Sequence, residues 1–539
     1  MRKLLWLATL AFLIVATFAD AQTYTVLYNF GSNNGDPVGP HNSTIVQGRD
    51  GNLYSASPFG GASGVYGAAF RITPTGQLTV LHSFSGPDGF FPYGGLAPST
   101  DGNFYGTTSA ASETVGSSLG TVFKISAAGG LTTLYQFQGG LDGSDPRARP
   151  LQAMDGKFYG TTMSGGASQG MGNGTVYKFG SSVAYAKQHG FAPPGQPIAP
   201  LVEGTDGKLY GVSQNLIFTI TESGEYQKLF DFNLNPQDGL NPNGPLVEGT
   251  DGNFYGTTYK GGSGNAGVVF KITRSGQFTV LYNFPGFGTN GGFPLGGLVL
   301  ATDGNFYGTA SDVNIGCGNI FRISSAGDFA ALHAFGGSID GCNPWVTLIQ
   351  HTNGLLYGDT ISGGHGGGGV FFSFSGTFAG LPPFVRTLPE ASRVGQTVGI
   401  FGQGFTGTTA VSFNGAAAQF TVASDTYLTA VVPNGATMGF VTVTSPTGTL
   451  TSNKKFQVRP QVTGFSPTSG TVGTAVVITG VSLGHATRVT FGSTQASTFT
   501  QDSATQITAI VPAGALTGKI SVTTTGAPSY SHTAFTVTQ

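Results

Sequence analysis

A short string, Asp-Gly-Asn/Lys-Phe/Leu-Tyr, recurs along the chain and constrains the fold more than any other feature. It stands as DGNLY from Asp50, DGNFYGTT from Asp101, DGKFYGTT from Asp155, DGKLYGVS from Asp206, DGNFYGTT from Asp251 and DGNFYGTA from Asp303, with a seventh form, NGLLYGDT, from Asn353. The intervals are 51, 54, 51, 45, 52 and 50 residues. That period fits a four-stranded propeller blade and exceeds that of common helical-pair repeats. The fifth unit reads as four short strands, GPLVEGT, NFYGTTY, AGVVFKIT and QFTVLYNF, rich in β-branched and aromatic residues. Asp-Gly between the first two strands and Ser-Gly between the last two provide the positive φ angles that tight hairpins need.

The ends of the array predict how it closes. The seventh unit contains the strand Val370 to Phe374 but then runs into GTFAGLPPF, with no strand of the TxLYxF type. TYTVLYNF, Thr23 to Phe30, precedes the first complete unit and matches QFTVLYNF closely. The N-terminal segment is therefore expected to serve as the fourth strand of the seventh blade, which leaves no open edge between blades. An open solenoid would need no such exchange. The fourth unit fits worst, because Val183 to Phe191 and Leu216 to Ile220 match the third and fourth strands poorly, so six or eight blades also stay open.

Composition narrows the function classes. Charged residues make up 9% of the chain, 89 positions are glycine, and 23 Lys plus Arg against 25 Asp plus Glu give a net charge of -2. With no basic block to attract phosphates, nucleic acid is not an expected partner. Arg2 and Lys3, the apolar run Leu4 to Phe18 and Ala19-Asp20-Ala21 form a signal-peptide pattern over residues 1–21. About 15 apolar residues fall short of the roughly 20 needed to span a bilayer, so no transmembrane segment is expected after cleavage. The reading is a secreted or extracytoplasmic protein, held at a surface noncovalently if at all. Cys317 and Cys342 are the only cysteines, and an oxidising compartment favours their pairing.

With GGxxGxGTVFKI between the Tyr strand and the LYxF strand, the repeat resembles the bacterial secreted tandem-repeat family called GloVer over roughly residues 23–375. The resemblance implies a surface or extracellular β-propeller and no established reaction. After Leu381-Pro382-Pro383 a second period of about 78 residues begins: Gly395 corresponds to Gly473, Val411-Ser412-Phe413 to Val489-Thr490-Phe491, and Val432-Pro433 to Val511-Pro512. PxVTGFSPTSGTVGTAVVITG with the later VTFG and AIVPAGA is similar to the IPT/TIG immunoglobulin-like domain. The first copy departs from that pattern at PEASRVGQTVGIFGQGF but returns to register at VSFNG and AVVPNGA. In secreted bacterial proteins such domains imply spacers or glycan-associated modules. The expected organisation is all-β: a signal peptide over 1–21, a seven-bladed propeller over 22–380, and two immunoglobulin-like sandwiches over 381–458 and 459–539.

Catalytic chemistry has few candidates. Ten Asp residues are followed directly by Gly and belong to turns. Glu203 and Glu248 hold the same place in LVEGTDG of the fourth and fifth units, where adjacent blades could bring two carboxyls to the separation that glycoside hydrolysis requires. Polar lining of a wet channel explains the pair equally well, and the other units are read as placing Gln47, Pro98, Ala153, Leu300 and Gln350 there. His82 and His333 replace the Tyr of LYxF and read as structural. His41 and His365 lie in loops without a partner at ligand spacing, so no metal site and no cofactor are expected.

Ligand binding is argued from the loops. The DGN turns should share one face of the propeller, and the GG and DGxxP loops the other. On that second face the units differ, at Asp145-Pro146-Arg147-Ala148-Arg149, Phe90-Phe91, Asn343 with Trp345, His41 and the loop from Ala110 to Leu119. Variation on a rigid scaffold is where specificity sits, which singles out Trp345, Arg147, Arg149 and His41. The expected function is noncatalytic binding or adhesion to a glycan or a surface or matrix protein. The alternatives are a carbohydrate-active enzyme using Glu203 and Glu248, and a purely structural surface protein.

Overall fold

The computed structural model describes residues 22–538 except 42–43, 110–118, 167–171, 181–184, 193–194, 287–290, 312–315, 378–379, 485 and 525–527. The signal-peptide pattern and nearly all of the loop from Ala110 to Leu119 lie outside the described residues.

Each repeat builds one antiparallel sheet. In the fifth unit Val247–Glu248, Phe254–Thr258, Val268–Ile272 and Phe278–Asn283 pair in chain order. The recurring string follows from the turn between the first two strands. Gly252 has φ +75°. Asp251 accepts the Asn253 N–H at 3.2 Å on one carboxylate oxygen and the Tyr255 hydroxyl at 2.8 Å on the other. The same Asp-to-Tyr bond, at 2.8 to 3.0 Å, recurs at Asp50, Asp101, Asp155, Asp206 and Asp303. In the seventh unit the Asn353 amide donates to the Tyr357 hydroxyl at 2.9 Å. The second strand is buried throughout, and its central glycine is a packing requirement: a Cβ on Gly256 would sit 2.6 Å from Phe270 and 2.9 Å from Leu246.

Two sets of stacked rings join neighbouring sheets. The Tyr of one second strand lies on the Phe that opens the next: Tyr54 on Phe104 at 4.1 Å, Tyr105 on Phe158 at 4.0 Å, Tyr210 on Phe254 at 3.9 Å and Tyr255 on Phe306 at 4.1 Å. Further out, fourth strands stack on one another through Tyr135 and Tyr185, His189 and Tyr226, Phe230 and Phe278, and Tyr282 and Phe329, at 3.8 to 4.2 Å. Each pair contributes about 0.5–1.5 kcal/mol beyond the area it buries.

Seven four-stranded sheets of this kind occupy Tyr24 to Phe374 among the described residues. Tyr24–Asn29 pairs antiparallel with Val370–Phe374 and is the fourth strand of the last sheet. Tyr24 continues the outer series by stacking on His333 at 3.9 Å. Phe30 meets Phe70 of the first repeat at 5.6 Å, and Thr44 bridges both Gly95 and Thr347. The fourth repeat is more regular than its sequence indicates. Val202–Glu203, Leu209–Ser213, Leu216–Ile220 and Tyr226–Asp231 form its sheet, whereas Ala186–Gly190, within the stretch read as its third strand, is the fourth strand of the sheet before it.

The C-terminal part folds as two similar pairs of sheets. Arg386–Leu388, Thr397–Phe401, Tyr427–Val431 and Phe420–Ser424 pair in the same order as Gln461–Ser466, Ala475–Val481, Gln506–Ile510 and Phe499–Ser503. Each set packs on a second sheet around its own core, with Val411, Phe413 and Phe456 in the first and Val489, Phe491 and Phe535 in the second. The first set docks on the DG turn of the first repeat and the equivalent Asn353-Gly354 turn of the last. Thr426 donates to the Arg49 carbonyl at 2.9 Å, Arg49 lies over Tyr427 at 4.8 Å, and Gln403 donates to Thr352 at 3.0 Å.

Phe306 is 1% exposed and sits in the inner ring series. Phe306→Ala is expected to lower stability by about 3–5 kcal/mol in urea unfolding, and a loss below about 1 kcal/mol would show that the stack contributes little.

Candidate functional site

The loop opposite the DG turns has one fixed feature, a proline preceded by a residue of positive φ. Gly39 has φ +56°, Phe91 +57°, Asp145 +56°, Gln196 +65°, Asn241 +57°, Phe293 +52° and Asn343 +57°. Each stands directly before a proline, and six of the seven are not glycine. Strain of this sort persists only where the surroundings hold it, and it gathers at functional sites. The residue after each proline differs between units: His41, Tyr93, Arg147, Ile198, Asn243, Leu295 and Trp345.

Contacts between these seven residues run from repeat to repeat. Trp345 meets His41 edge-on at 4.5 Å, His41 meets Tyr93 at 5.6 Å, and the Arg147 guanidinium lies over Tyr93 at 5.3 Å. Arg147, Ile198, Asn243, Leu295 and Trp345 line one depression. A neighbouring cleft of about 280 Å³ runs past Arg147, Gln196, Gln214, Asn241, Asn243 and Tyr259. Phe91 and Phe59 extend the aromatic surface, with ring centroids 5.6 Å apart, and Phe59 is 38% exposed. Burial, with Arg147 adding to it, pushes the His41 imidazole down to about 4, which keeps it neutral. Arg147 is oriented by Asp145, which accepts its Nε–H at 3.0 and 3.1 Å. The buried indole N–H of Trp345 has no hydrogen-bond acceptor.

Of the four ligand candidates read from sequence, His41, Arg147 and Trp345 therefore come together. Arg149 does not join them; it stands two residues further along the chain, ahead of the strand Leu151–Gln152, where its Nε–H has no partner. Tyr93, Gln196, Asn241, Asn243 and Tyr259 lie beside Arg147 and are not among the candidates read from sequence. The signal for Tyr93 and Asn243 was present, since both follow the repeated proline.

Glu203 and Glu248 occupy equivalent places near the DG-turn end, and both reach into the preceding repeat. Glu203 accepts the Met154 N–H at 2.8 Å, and Glu248 accepts the Thr205 N–H and hydroxyl, both at 2.8 Å, and pairs with Arg274. Gln152 accepts from Thr100 at 2.9 Å, Gln350 from Thr302 at 3.0 Å and Gln47 from Thr352 at 3.2 Å in the same manner. The pairing of Gln152 with Phe158 matches that of Glu203 with Leu209, so Gln152, not Ala153, holds this place in the third repeat. The position is a clasp between sheets. From Ile198 to Glu203 the extended chain covers on the order of 15 Å, which sets the carboxylates well away from the aromatic cluster.

The other candidates are accounted for locally. His82 contacts Asp88 at 2.5 Å, as Tyr28 contacts Asp36 and Tyr135 contacts Asp142 at 2.8 Å, and His333 lies 3.3 Å from Asp340. His365 is exposed in its glycine loop. Cys317 and Cys342 form a disulfide, with Cα atoms 4.3 Å apart. Among the described residues no group of three or more His, Cys, Asp or Glu is placed to hold a metal ion, and no helix is long and apolar enough to cross a membrane.

Burial pushes the Glu203 carboxyl up to about 8, with Glu222 and Asp155 adding to the rise and the Met154 N–H and Arg459 opposing it. The native state then holds a proton that the unfolded chain, near 4.5, has released. Stability falls as pH rises through that window. The thermal midpoint is expected to drop between about pH 5 and pH 8, and less steeply in Glu203→Gln; identical slopes would contradict this assignment.

Comparison with known proteins adds family and context. Solved structures that resemble the chain include a fungal alcohol oxidase of the AA5 family in complex with copper, at 15% identity and TM-score 0.48, covering 81% of this chain and 99% of that one. The extracellular domain of a candidate hybrid two-component system from Bacteroides thetaiotaomicron matches at 13% identity and TM-score 0.44, covering 92% and 65%. A surface glycan-binding protein from Prevotella bryantii matches at 18% identity and TM-score 0.21, covering 28% and 41%. No curated protein matches the sequence. The sequence model of the IPT/TIG domain matches residues 460–537, the second C-terminal pair of sheets. The sequence model of the Gloeobacter/Verrucomicrobia repeat matches residues 13–168, 171–372 and 213–423. On that match, which covers most of the chain, the protein belongs to the Gloeobacter/Verrucomicrobia repeat family.

Proposed function

We propose that this is an exported, noncatalytic binding protein that recognises a glycan through the seven residues following the loop prolines. In this reading the seven sheets close into a propeller over 22–380, and residues 381–458 and 459–539 are two immunoglobulin-like spacers. Three observations support closure: the seventh sheet takes its last strand from the N-terminus, Gln47 is clasped to Thr352 of the last repeat, and one buried cluster holds Phe70 and Ile72 together with Phe371 and Phe372.

The observation that carries the binding role is the continuous surface of Trp345, His41, Tyr93 and Arg147 beside a cleft edged with the amides of Gln196, Gln214, Asn241 and Asn243. Sugars are recognised by such a mixture, because aromatic faces cover their C–H surfaces while planar amides and guanidinium bond their hydroxyls. The neutral His41 and the single Asp-paired Arg147 favour neutral or weakly acidic sugars over highly charged polymers. Docking of the first spacer on the opposite face leaves this surface open. Against an enzyme acting through Glu203 and Glu248 stands the engagement of Glu203 with the Met154 N–H and of Glu248 with Thr205 and Arg274; against a purely structural role stands the positive φ of the six non-glycine residues before the loop prolines.

A glycan array and cell-wall pull-down with the purified full chain, beside Trp345→Ala and Arg147→Ala, tests the reading. Saturable binding weakened about tenfold or more in either variant, at an unchanged thermal midpoint, is expected. Absence of saturable binding by the folded protein would overturn the reading.

A further inference from the structure

One position changes character where the last repeat meets the first. The residue two places before the turn Asp or Asn is small in six repeats, as Gly48, Ser99, Ala153, Gly204, Gly249 and Ala301, and is His351 in the seventh. A larger side chain has little room elsewhere: a Cβ on Gly204 would sit 2.8 Å from Tyr210 and 3.0 Å from Phe254 of the next repeat. At the last seam the facing strand opens with Leu53, and the His351 imidazole, 1% exposed, stands edge-on to Tyr357 at 5.6 Å. Both ring nitrogens are engaged. The Asn353 N–H donates to Nδ1 at 3.2 Å, so that nitrogen carries no proton, and Nε2–H donates to the Gly51 carbonyl of the first repeat at 2.9 Å. These bonds require one neutral tautomer of the ring.

The same two residues reach the first spacer. Gly51, which accepts from His351, is backed by the spacer, since a Cβ there would meet Thr426 at 2.8 Å. Thr352 accepts from Gln47 of the first repeat at 2.8 Å and from Gln403 of the spacer at 3.0 Å, and donates to the Gly402 carbonyl at 3.2 Å. Its own carbonyl accepts the Phe384 N–H at 3.1 Å. Last repeat, first repeat and spacer therefore meet at His351 and Thr352.

A proton on Nδ1 removes the acceptor of the Asn353 N–H and leaves a cation in a buried site. The charged groups of the facing elements do not offset it. Arg386 of the spacer repels it, Arg49 of the first repeat lies over Tyr427 and donates to the Thr100 carbonyl, and Asp50 is held by Asn52 at 2.6 Å and Tyr54 at 2.8 Å. Burial lowers the proton affinity of His351, opposed by the Gly51 carbonyl and the Asn353 side chain and reinforced by Arg386.

We propose that His351 is an acid-sensitive latch that holds the first spacer on the seam between the last and first repeats. Opening the seam returns the ring to water and to its ordinary affinity near 6.5, so opening takes up one proton. Docking is firm above that pH and weakens as pH falls below it. The latch is independent of what the loop face recognises.

Amide hydrogen exchange of the full chain between about pH 7.5 and pH 5, read at Thr352, Asn353 and Phe384, tests it. Corrected for the intrinsic pH dependence of exchange, protection of these amides is expected to fall about tenfold per pH unit below about pH 6.5 until the native ring itself titrates. Phe278–Asn283 keeps its protection over the same window. His351→Ala, which places there the residue of the third and sixth repeats, and His351→Gln should both remove the pH dependence. Constant protection of Thr352 and Phe384 in wild type, an equal fall in either folded variant, or a parallel loss at Phe278–Asn283 would overturn the latch.

Discussion

Contact between neighbouring sheets, made by aromatic rings stacked from one repeat onto the next, is the interaction on which the rest of this structure depends. A four-stranded sheet of this size cannot bury both its faces alone. Here Tyr54, Tyr105, Tyr210 and Tyr255 near the axis stack on the next repeat, and five outer ring pairs do the same near the rim. Leu53, Leu209 and Leu356 open the second strand where Phe is absent. The hydroxyl of the inner Tyr is held by the Asp of the hairpin turn, so the residues that shape the turn also fix the ring that joins the sheets. One short string therefore specifies a turn, a core residue and a contact between repeats. The clasps of Gln47, Gln152, Glu203, Glu248 and Gln350 add a polar version of the same contact nearer the axis.

This scaffold separates two faces. On the DG-turn side, backbone and side chains are committed to local turns, to clasps and to the first spacer. On the loop side, a proline in each repeat fixes the backbone while the residue after it is free to differ. Aromatic, cationic, amide and aliphatic side chains thus stand at equivalent positions around one mouth. Substitution there leaves the stacks beneath undisturbed, since those residues stand in loops outside the strands.

The fold was largely legible because its determinants are local and periodic. The spacing of DGxxY located the hairpins, and the likeness of Thr23 to Phe30 to a fourth strand placed the N-terminus in the last sheet, as the pairing with Val370–Phe374 shows. The third and fourth repeats were misread because Ala186–Gly190 lacks the aromatic-aliphatic signature of other fourth strands; its His189 supplies the ring that stacks on Tyr226. Assigning Ala153 instead of Gln152 was a one-residue slip, which on a strand reverses the face presented. Site residues were harder. His41, Arg147 and Trp345 stood out by residue type, whereas Tyr93 and Asn243 are ordinary except for following the repeated proline.

Amide hydrogen exchange of the full chain tests most directly the claim that a ring joined end to end by the N-terminal strand holds the loop face in place. The account predicts that Tyr24–Asn29 is protected to the same degree as the equivalent strand Phe278–Asn283 and exchanges together with Val370–Phe374. Rapid exchange of Tyr24–Asn29 while Phe278–Asn283 stays protected would contradict it.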